Sequence, residues 1–108
     1  MFHQTKDGRL CIYACDYFSL TPALVGEVDA VYDRGSLGAI NVTDRPAYVK
    51  LMQQIVGKDF RWNVQTCNQK FNSIHFRYVL NAHEYDDTMF QGPPRNLPRD
   101  EVFNLFGK

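Results

Sequence analysis

Residues 27–35 have the sequence EVDAVYDRG, a run typical of a β-strand that ends in a charged turn. Apolar side chains alternate along one face of this run, at Val28, Ala30 and Tyr32. A glycine precedes the run and another closes it, so the chain is free to turn at both ends. The pattern predicts a largely buried strand over residues 27–33.

Other segments also have strand character. The apolar run of residues 10–15 is typical of a strand buried on both faces, as in a parallel sheet. Residues 76–82 predict a third strand, and the alternating aromatic and β-branched residues of 60–66 fit a fourth.

Two helices are predicted in addition to the strands. Residues 43–46 have the sequence TDRP, which supplies a capping side chain and then a proline suited to a first helical turn. Apolar residues at helical spacing follow until Gly57, so we expect a helix over residues 45–56. A shorter helix is predicted within residues 97–107. Strands that alternate with helices indicate an α/β fold with a parallel sheet.

Length and charge limit the classes of partner. The chain has 108 residues, enough for one small domain. Lys and Arg total 12, as do Asp and Glu, so no basic excess favours nucleic acid or an anionic membrane as a partner. No apolar run approaches the roughly 20 residues that span a bilayer. Since we also expect no secretory leader, the protein is predicted to be cytoplasmic, with its three cysteines as free thiols.

Candidate binding residues follow the predicted strands, because ligands bind beyond the carboxyl ends of strands in open parallel sheets. Asp16 and Tyr17 follow the first apolar run. One interpretation is a purine pocket, in which the carboxylate accepts from an exocyclic amino group and an aromatic ring covers the base. The alternative is structural, with Asp16 capping a turn and Phe18 entering the core.

Arg34 follows the strand of residues 27–33 and precedes a glycine. A cation fixed there would suit a carboxylate or an anionic substrate atom. The alternative is a surface arginine that pairs loosely with a nearby acid such as Asp33 and has no partner in any cleft. The turn that contains Gly92 and Pro93 is rigid, and it fits either a plain turn or the wall of a pocket.

We predict no catalytic acid, base or nucleophile and no metal site. The three histidines are isolated, and no spacing pairs them with a Cys or Ser. The acids of residues 84–87 are typical of a solvated loop, with no further ligand at the spacing of a metal loop. The glycines within residues 34–38 match neither common phosphate-binding motif.

Taken together, several segments resemble the thiopurine S-methyltransferase family. The most specific are DAVYDRGSLGAI and the DRPAY that follows it. In chain order, the matching segments are residues 12–20, 28–40, 44–48, 92–94 and 102–107.

This resemblance implies a Rossmann-like domain that binds S-adenosylmethionine and methylates the sulfur of small aromatic and heterocyclic thiols. By position, Asp16 and Tyr17 are expected to contact the adenine ring, and Arg34 to face the cofactor and substrate. Gly92 and Pro93 are expected on the substrate side. The family's chemistry implies that positioning and exclusion of water supply most of the rate. The full-length family is expected to be monomeric.

The resemblance also implies that part of the domain is missing. We expect residues 1–108 to form the central to C-terminal part of a larger doubly wound domain, a partial Rossmann-like methyltransferase sheet with three or four strands and two helices. The glycine-rich cofactor loop and the final strands have no counterpart here, and residues 61–75 are predicted to be an insertion. The alternative function is therefore a catalytically inactive fragment that serves as an interaction piece or an incomplete gene product.

Overall fold

Short strands and helices make up the fold in a computed structural model that describes residues 2–26, 28–57, 59–65, 77–82, 84–85, 88 and 90–107. In chain order they are β1 (Phe2–Gln4), β2 (Cys11–Tyr13), α1 (Pro22–Val25), β3 (Val31–Arg34), α2 (Ser36–Ala39), α3 (Arg45–Val56), β4 (Trp62–Gln65), β5 (Tyr78–Asn81) and α4 (Arg99–Phe106). Single 3₁₀ turns lie at Tyr17–Ser19 and Val42–Asp44.

A parallel sheet with the strand order β3-β5-β4 forms the centre of the fold. Asp33 lies beside Leu80 and Arg34 beside Asn81, so the carboxyl ends of β3 and β5 meet at one edge. This sheet confirms the predicted α/β class and its partial, three-stranded form. The proposed insertion of residues 61–75 stays a prediction, since only its first residues, which contain β4, fall within the described parts of the chain.

The helices pack on one face of the sheet. α3 spans the predicted residues 45–56, and every apolar residue that its spacing placed inward is buried. α4 also matches its prediction, with Gly107 at its C-terminal cap. The core consists of Leu37, Tyr48, Val49, Leu51, Met52, Ile55, Val56, Tyr78, Leu80, Ala82, Leu97, Val102 and Phe106. Within the described residues, no helix has the length and apolar character needed to cross a membrane.

The opposite face of the sheet is only partly covered by the described residues. Side chains alternate along a strand, so Tyr32 and Arg34 point away from the face that carries Asp33. Val79 on this second face is buried, but Tyr32 is 61% exposed and Arg34 is exposed. Parallel sheets are normally covered on both faces, so the described helices supply one of the two expected layers.

Residues 10–15 do not form the buried parallel strand that their composition predicted. β2 instead pairs antiparallel with β1, with Gln4 opposite Cys11 and Phe2 opposite Tyr13, and this hairpin is largely exposed. An apolar run favours an extended chain but does not determine which strand it pairs with. Here the Thr5 N–H donates to the Leu10 carbonyl at 3.0 Å and closes a short turn. This turn brings β1 beside β2, so the two strands pair.

The start of α3 departs from its prediction in one detail. Pro46 lies in the first turn as expected, but the side chain of Asp44 makes no capping hydrogen bond. The 3₁₀ turn at Val42–Asp44 runs directly into the helix and holds Asp44 in helical backbone geometry, whereas a capping residue is usually extended.

Arg45 connects α3 to α2 and α4 from within the core. Its side chain is 1% exposed. Nε donates to the Leu37 carbonyl at 2.9 Å, Nη1 to Glu101 Oε2 at 2.8 Å, and Nη2 to the Asn96 carbonyl at 3.0 Å. Burial of a charge is tolerated when it is paired and fully hydrogen-bonded. The guanidinium therefore fixes where the C-terminal helix sits on the sheet.

We expect Arg45→Ala to lower the free energy of unfolding by about 3–5 kcal/mol, because it leaves Glu101 and two carbonyls without their partner. Urea denaturation measures the loss. The control is Arg9→Ala, since Arg9 also pairs with a carboxylate, Asp7 at 2.6 Å, but its side chain is 87% exposed. That variant is expected to lose less than about 1 kcal/mol. Similar losses in the two variants would contradict a structural role for the buried guanidinium.

Candidate functional site

The candidate site is centred on the carboxyl end of β3, which carries the predicted binding residue Arg34. β3 ends at Arg34, and Gly35 turns the chain into α2 with a left-handed backbone (φ +81°). Its N–H donates to the Asn81 carbonyl at the end of β5, at 3.4 Å. This edge of the sheet is where parallel α/β proteins bind their ligands.

A buried carboxylate, Asp33, joins the elements at this edge. Its side chain is 6% exposed and accepts hydrogen bonds from three hydroxyl groups. Ser36 of α2 donates to Oδ1, whereas Tyr48 of α3 (2.8 Å) and Tyr78 of β5 both donate to Oδ2. These donors compensate the carboxylate for lost water. They also fix the end of β3 relative to α2, α3 and β5.

Tyr48 and Tyr78 both have a raised pKa because their hydroxyls are buried beside Asp33. Burial raises the pKa of Tyr48 well above its ordinary value, and the negative charge of Asp33 raises it further. Burial likewise raises the pKa of Tyr78, followed by the influence of Tyr48 and Asp33. Both phenols therefore stay protonated and continue to donate to the carboxylate up to strongly alkaline pH.

Asp16 and Tyr17 occupy an exposed turn that packs on α3. Asp16 Oδ1 accepts from the Phe18 N–H at 2.9 Å, the capping role that the structural alternative predicted. Phe18 does not enter the core as that alternative expected, since it is 44% exposed. The ring of Tyr17 contacts Tyr48 edge-on, with centroids 5.8 Å apart, and remains 50% exposed. This turn therefore rests on the helix whose tyrosine holds Asp33.

Arg34 projects from the last position of β3 on the face opposite Asp33. Within the described part of the chain, its guanidinium makes no ion pair or side-chain hydrogen bond. Arg34 is an exposed surface residue, as the structural alternative predicted, but it does not pair with Asp33, because three hydroxyls occupy that carboxylate and the two side chains point to opposite faces.

Gly92 and Pro93 belong to a loop that docks on α2. The Arg95 N–H donates to the Gly38 carbonyl at 2.7 Å, and its guanidinium donates to the carbonyls of Ala39 and Ile40 at 2.8 and 3.2 Å. The Gly92-Pro93 bond is cis. Next to it, an open cleft of about 300 Å³ is lined by Val42, Thr88, Gln91, Arg95 and Asn96.

The predicted binding residues are connected indirectly, through other residues of the fold. Tyr48 connects the Tyr17 turn to Asp33 and the end of β3, and α2 connects that end to the loop of Gly92 and Pro93. None of the residues lining the 300 Å³ cleft is Asp16, Tyr17 or Arg34. In the described ranges, no group of three or more His, Cys, Asp or Glu side chains is arranged to hold a metal ion.

The hydroxyl cluster around Asp33 was not predicted from the sequence. Spacing identified Tyr48 as a core residue and Tyr78 as part of a strand, but not their shared partner. The available signal was chemical, since a tyrosine at an interior position needs a hydrogen-bond partner for its hydroxyl. The only nearby acid on the core face of β3 is Asp33.

Comparison with known proteins identifies the family. The family model of thiopurine S-methyltransferase matches the chain over residues 1–108. The chain belongs to this family. The match includes the two segments, DAVYDRGSLGAI and DRPAY, that carry Asp33, Arg34 and Tyr48.

Curated thiopurine S-methyltransferases are similar to most of the chain. The protein of Panthera leo is 33% identical over 104 residues, which cover 96% of this chain and 36% of that protein. The protein of Bos taurus is 32% identical with the same coverage. A probable thiopurine S-methyltransferase of Danio rerio is 30% identical over 96% of this chain and 38% of that protein. The chain thus spans a little over a third of the length of these relatives.

For this thiopurine S-methyltransferase family member we expect alkaline unfolding driven by its buried tyrosines. The unfolded phenols ionise near pH 10, whereas the folded ones keep their protons. Above that pH the unfolded chain binds fewer protons, so the free energy of unfolding falls by about 1.4 kcal/mol per pH unit for each proton retained. Below about pH 10 the phenols are protonated in both states, so the tyrosines cause no fall in the free energy of unfolding.

Urea denaturation across a pH series measures that fall, and tyrosinate absorbance is followed beside helical circular dichroism. Two phenols should ionise only as the helical signal is lost. Tyr78→Phe removes one of them and should make the fall shallower. Ionisation of every tyrosine before any loss of helix would contradict the expectation.

The loop that carries Gly92 is expected to tolerate no side chain at that position. Its φ is +91°, and a Cβ would lie 2.7 Å from backbone atoms of Pro94 and Arg95. The matched control is Gly57→Ala, where φ is +77° but a Cβ meets nothing within 4 Å. The control should lose about 1–2 kcal/mol from the left-handed backbone alone. Gly92→Ala should lose about 1–3 kcal/mol more, because the loop must shift. Equal losses in urea denaturation would show that the loop is not tightly docked.

Proposed function

We propose that this chain carries part of the binding site of an S-adenosylmethionine-dependent methyltransferase that acts on the sulfur of small aromatic or heterocyclic thiols. The observation that carries the proposal is the family match over residues 1–108. The position of Arg34 and Gly35 supports it, because they end β3 at the edge of the sheet where ligands bind in parallel α/β proteins.

The described residues fit the adenine end of the cofactor. Asp16 is exposed, and its Oδ1 is committed to the Phe18 N–H, which leaves Oδ2 to accept from an exocyclic amino group. The ring of Tyr17 is held by its T-shaped contact with Tyr48, yet half of its surface is exposed, which leaves apolar ring surface for a base. In this proposal Asp16 and Tyr17 hold the adenine.

Arg34 would supply the positive charge on the reacting side of the site. When bound, the cofactor provides a methyl group already activated by its sulfonium charge, so no acid or base of the chain is needed for activation. A guanidinium near the substrate sulfur lowers the pKa of a thiol and favours the nucleophilic thiolate. Arg34 has no competing carboxylate partner among the described residues, so its charge is available for that role.

Gly92 and Pro93 would form part of the wall on the substrate side. The loop is fixed to α2 by the hydrogen bond from Arg95 to the Gly38 carbonyl, which places it beside the carboxyl end of β3. A fixed wall contributes to rate by restricting substrate orientation and excluding water.

Isothermal titration calorimetry with S-adenosylhomocysteine, the demethylated cofactor, tests the proposal. The unmodified chain is expected to bind it. Asp16→Ala should weaken binding by about 10-fold or more, since it removes a hydrogen bond that involves a charged group.

A matched control separates binding from folding. Thr21→Ala removes the hydrogen bond from the Leu24 N–H to Thr21 Oγ1, at 3.2 Å, which caps the neighbouring helix α1. It should cost about 1 kcal/mol of stability, as the capping loss in Asp16→Ala does, but should not affect affinity. Absence of binding heat for the unmodified chain would reject the enzyme interpretation and favour the inactive fragment instead.

A further inference from the structure

We propose that Tyr48 is a positioning residue that couples the turn of Asp16 and Tyr17 to the strand end of Asp33 and Arg34. The inference rests on the proposed function, because it concerns how the two halves of that binding site are held relative to each other. It adds a residue that touches neither cofactor nor substrate.

Two contacts made by one side chain carry the inference. The hydroxyl of Tyr48 donates to Asp33 Oδ2 at 2.8 Å, and its ring makes a T-shaped contact with Tyr17, with the centroids 5.8 Å apart. The phenol is rigid between these two points, since its ring and hydroxyl share one plane. A displacement at one end is therefore transmitted to the other.

The surroundings of Tyr48 keep it in this position. The residue is 3% exposed and lies on the buried face of α3, whose first turn is anchored by Arg45. Asp33 is in turn fixed by two further hydroxyls, from Ser36 and Tyr78. The coupling thus joins an exposed turn, Asp16 and Tyr17, to a firmly held strand end.

Tyr78 provides a comparison within the same cluster. Its hydroxyl also donates to Asp33 Oδ2, but its ring packs against Phe60 and Phe106, on the other side of the core. Loss of either hydroxyl removes one donor from the same carboxylate. Of these two tyrosines, Tyr48 has the ring contact with the turn, so the two variants share the damage to the cluster and differ in this contact.

Amide resonances of the full chain provide the first test and need no ligand. In Tyr48→Phe, the resonances of Phe18 in the turn and of Gly35 after β3 should both shift. In Tyr78→Phe, only that of Gly35 should shift. In Tyr17→Leu, an exposed substitution that leaves the core intact, Gly35 should shift through Tyr48. An unchanged Phe18 in Tyr48→Phe, or an unchanged Gly35 in Tyr17→Leu, would overturn the proposal.

Affinity for S-adenosylhomocysteine provides the second test. Tyr48→Phe should weaken binding by about 10-fold, and Tyr78→Phe by less than about 3-fold, because only the first releases the turn from the strand end. Equal weakening at equal loss of stability would mean that both tyrosines act only through the fold, and would overturn the inference. If the unmodified chain binds nothing, the proposed function fails, while the resonance shifts still decide the coupling.

Discussion

The buried carboxylate of Asp33 is the constraint on which the rest of this structure depends. A charge removed from water must be satisfied by the protein, and here three hydroxyls from three different elements do so. Those donors can reach one carboxylate only if α2, α3 and β5 hold fixed positions around the end of β3. The polar cluster thus specifies an arrangement that apolar packing alone would leave looser.

The same arrangement explains how a small core positions a binding edge. Arg45 ties α4 and the segment before it to α2 and α3, and Arg95 ties the loop that precedes this segment to the end of α2. Both arginines bond to backbone carbonyls, so the loops are held by main-chain geometry. In the proposed function, which depends on alignment of the reactants, such rigidity near the carboxyl end of β3 matters more than any single reactive group.

Local sequence patterns predicted most helices and strands. Contacts between residues far apart in the sequence became clear only from the structure. The helix at residues 45–56 follows from spacing and flanking signals that are all local. The hairpin was missed because the run at residues 10–15 is equally compatible with a sheet interior and an exposed pair. Asp16 was correctly weighed as a turn former, but nothing near Arg45 in sequence indicates that Glu101 is its partner. The candidate site was reached by family resemblance and by strand ends, whereas Tyr48 emerged only from contacts.

Asp33 and Arg34 are adjacent in sequence, but the side chain of Asp33 is buried and that of Arg34 is exposed. Because side chains alternate along a strand, a slip of β3 by one residue against β5 would turn Arg34 toward the core and expose Asp33. The guanidinium would then enter an apolar cluster without a carboxylate, and the three hydroxyls would lose their shared acceptor. The two adjacent, oppositely charged side chains therefore disfavour the slipped register, because it would bury an unpaired charge.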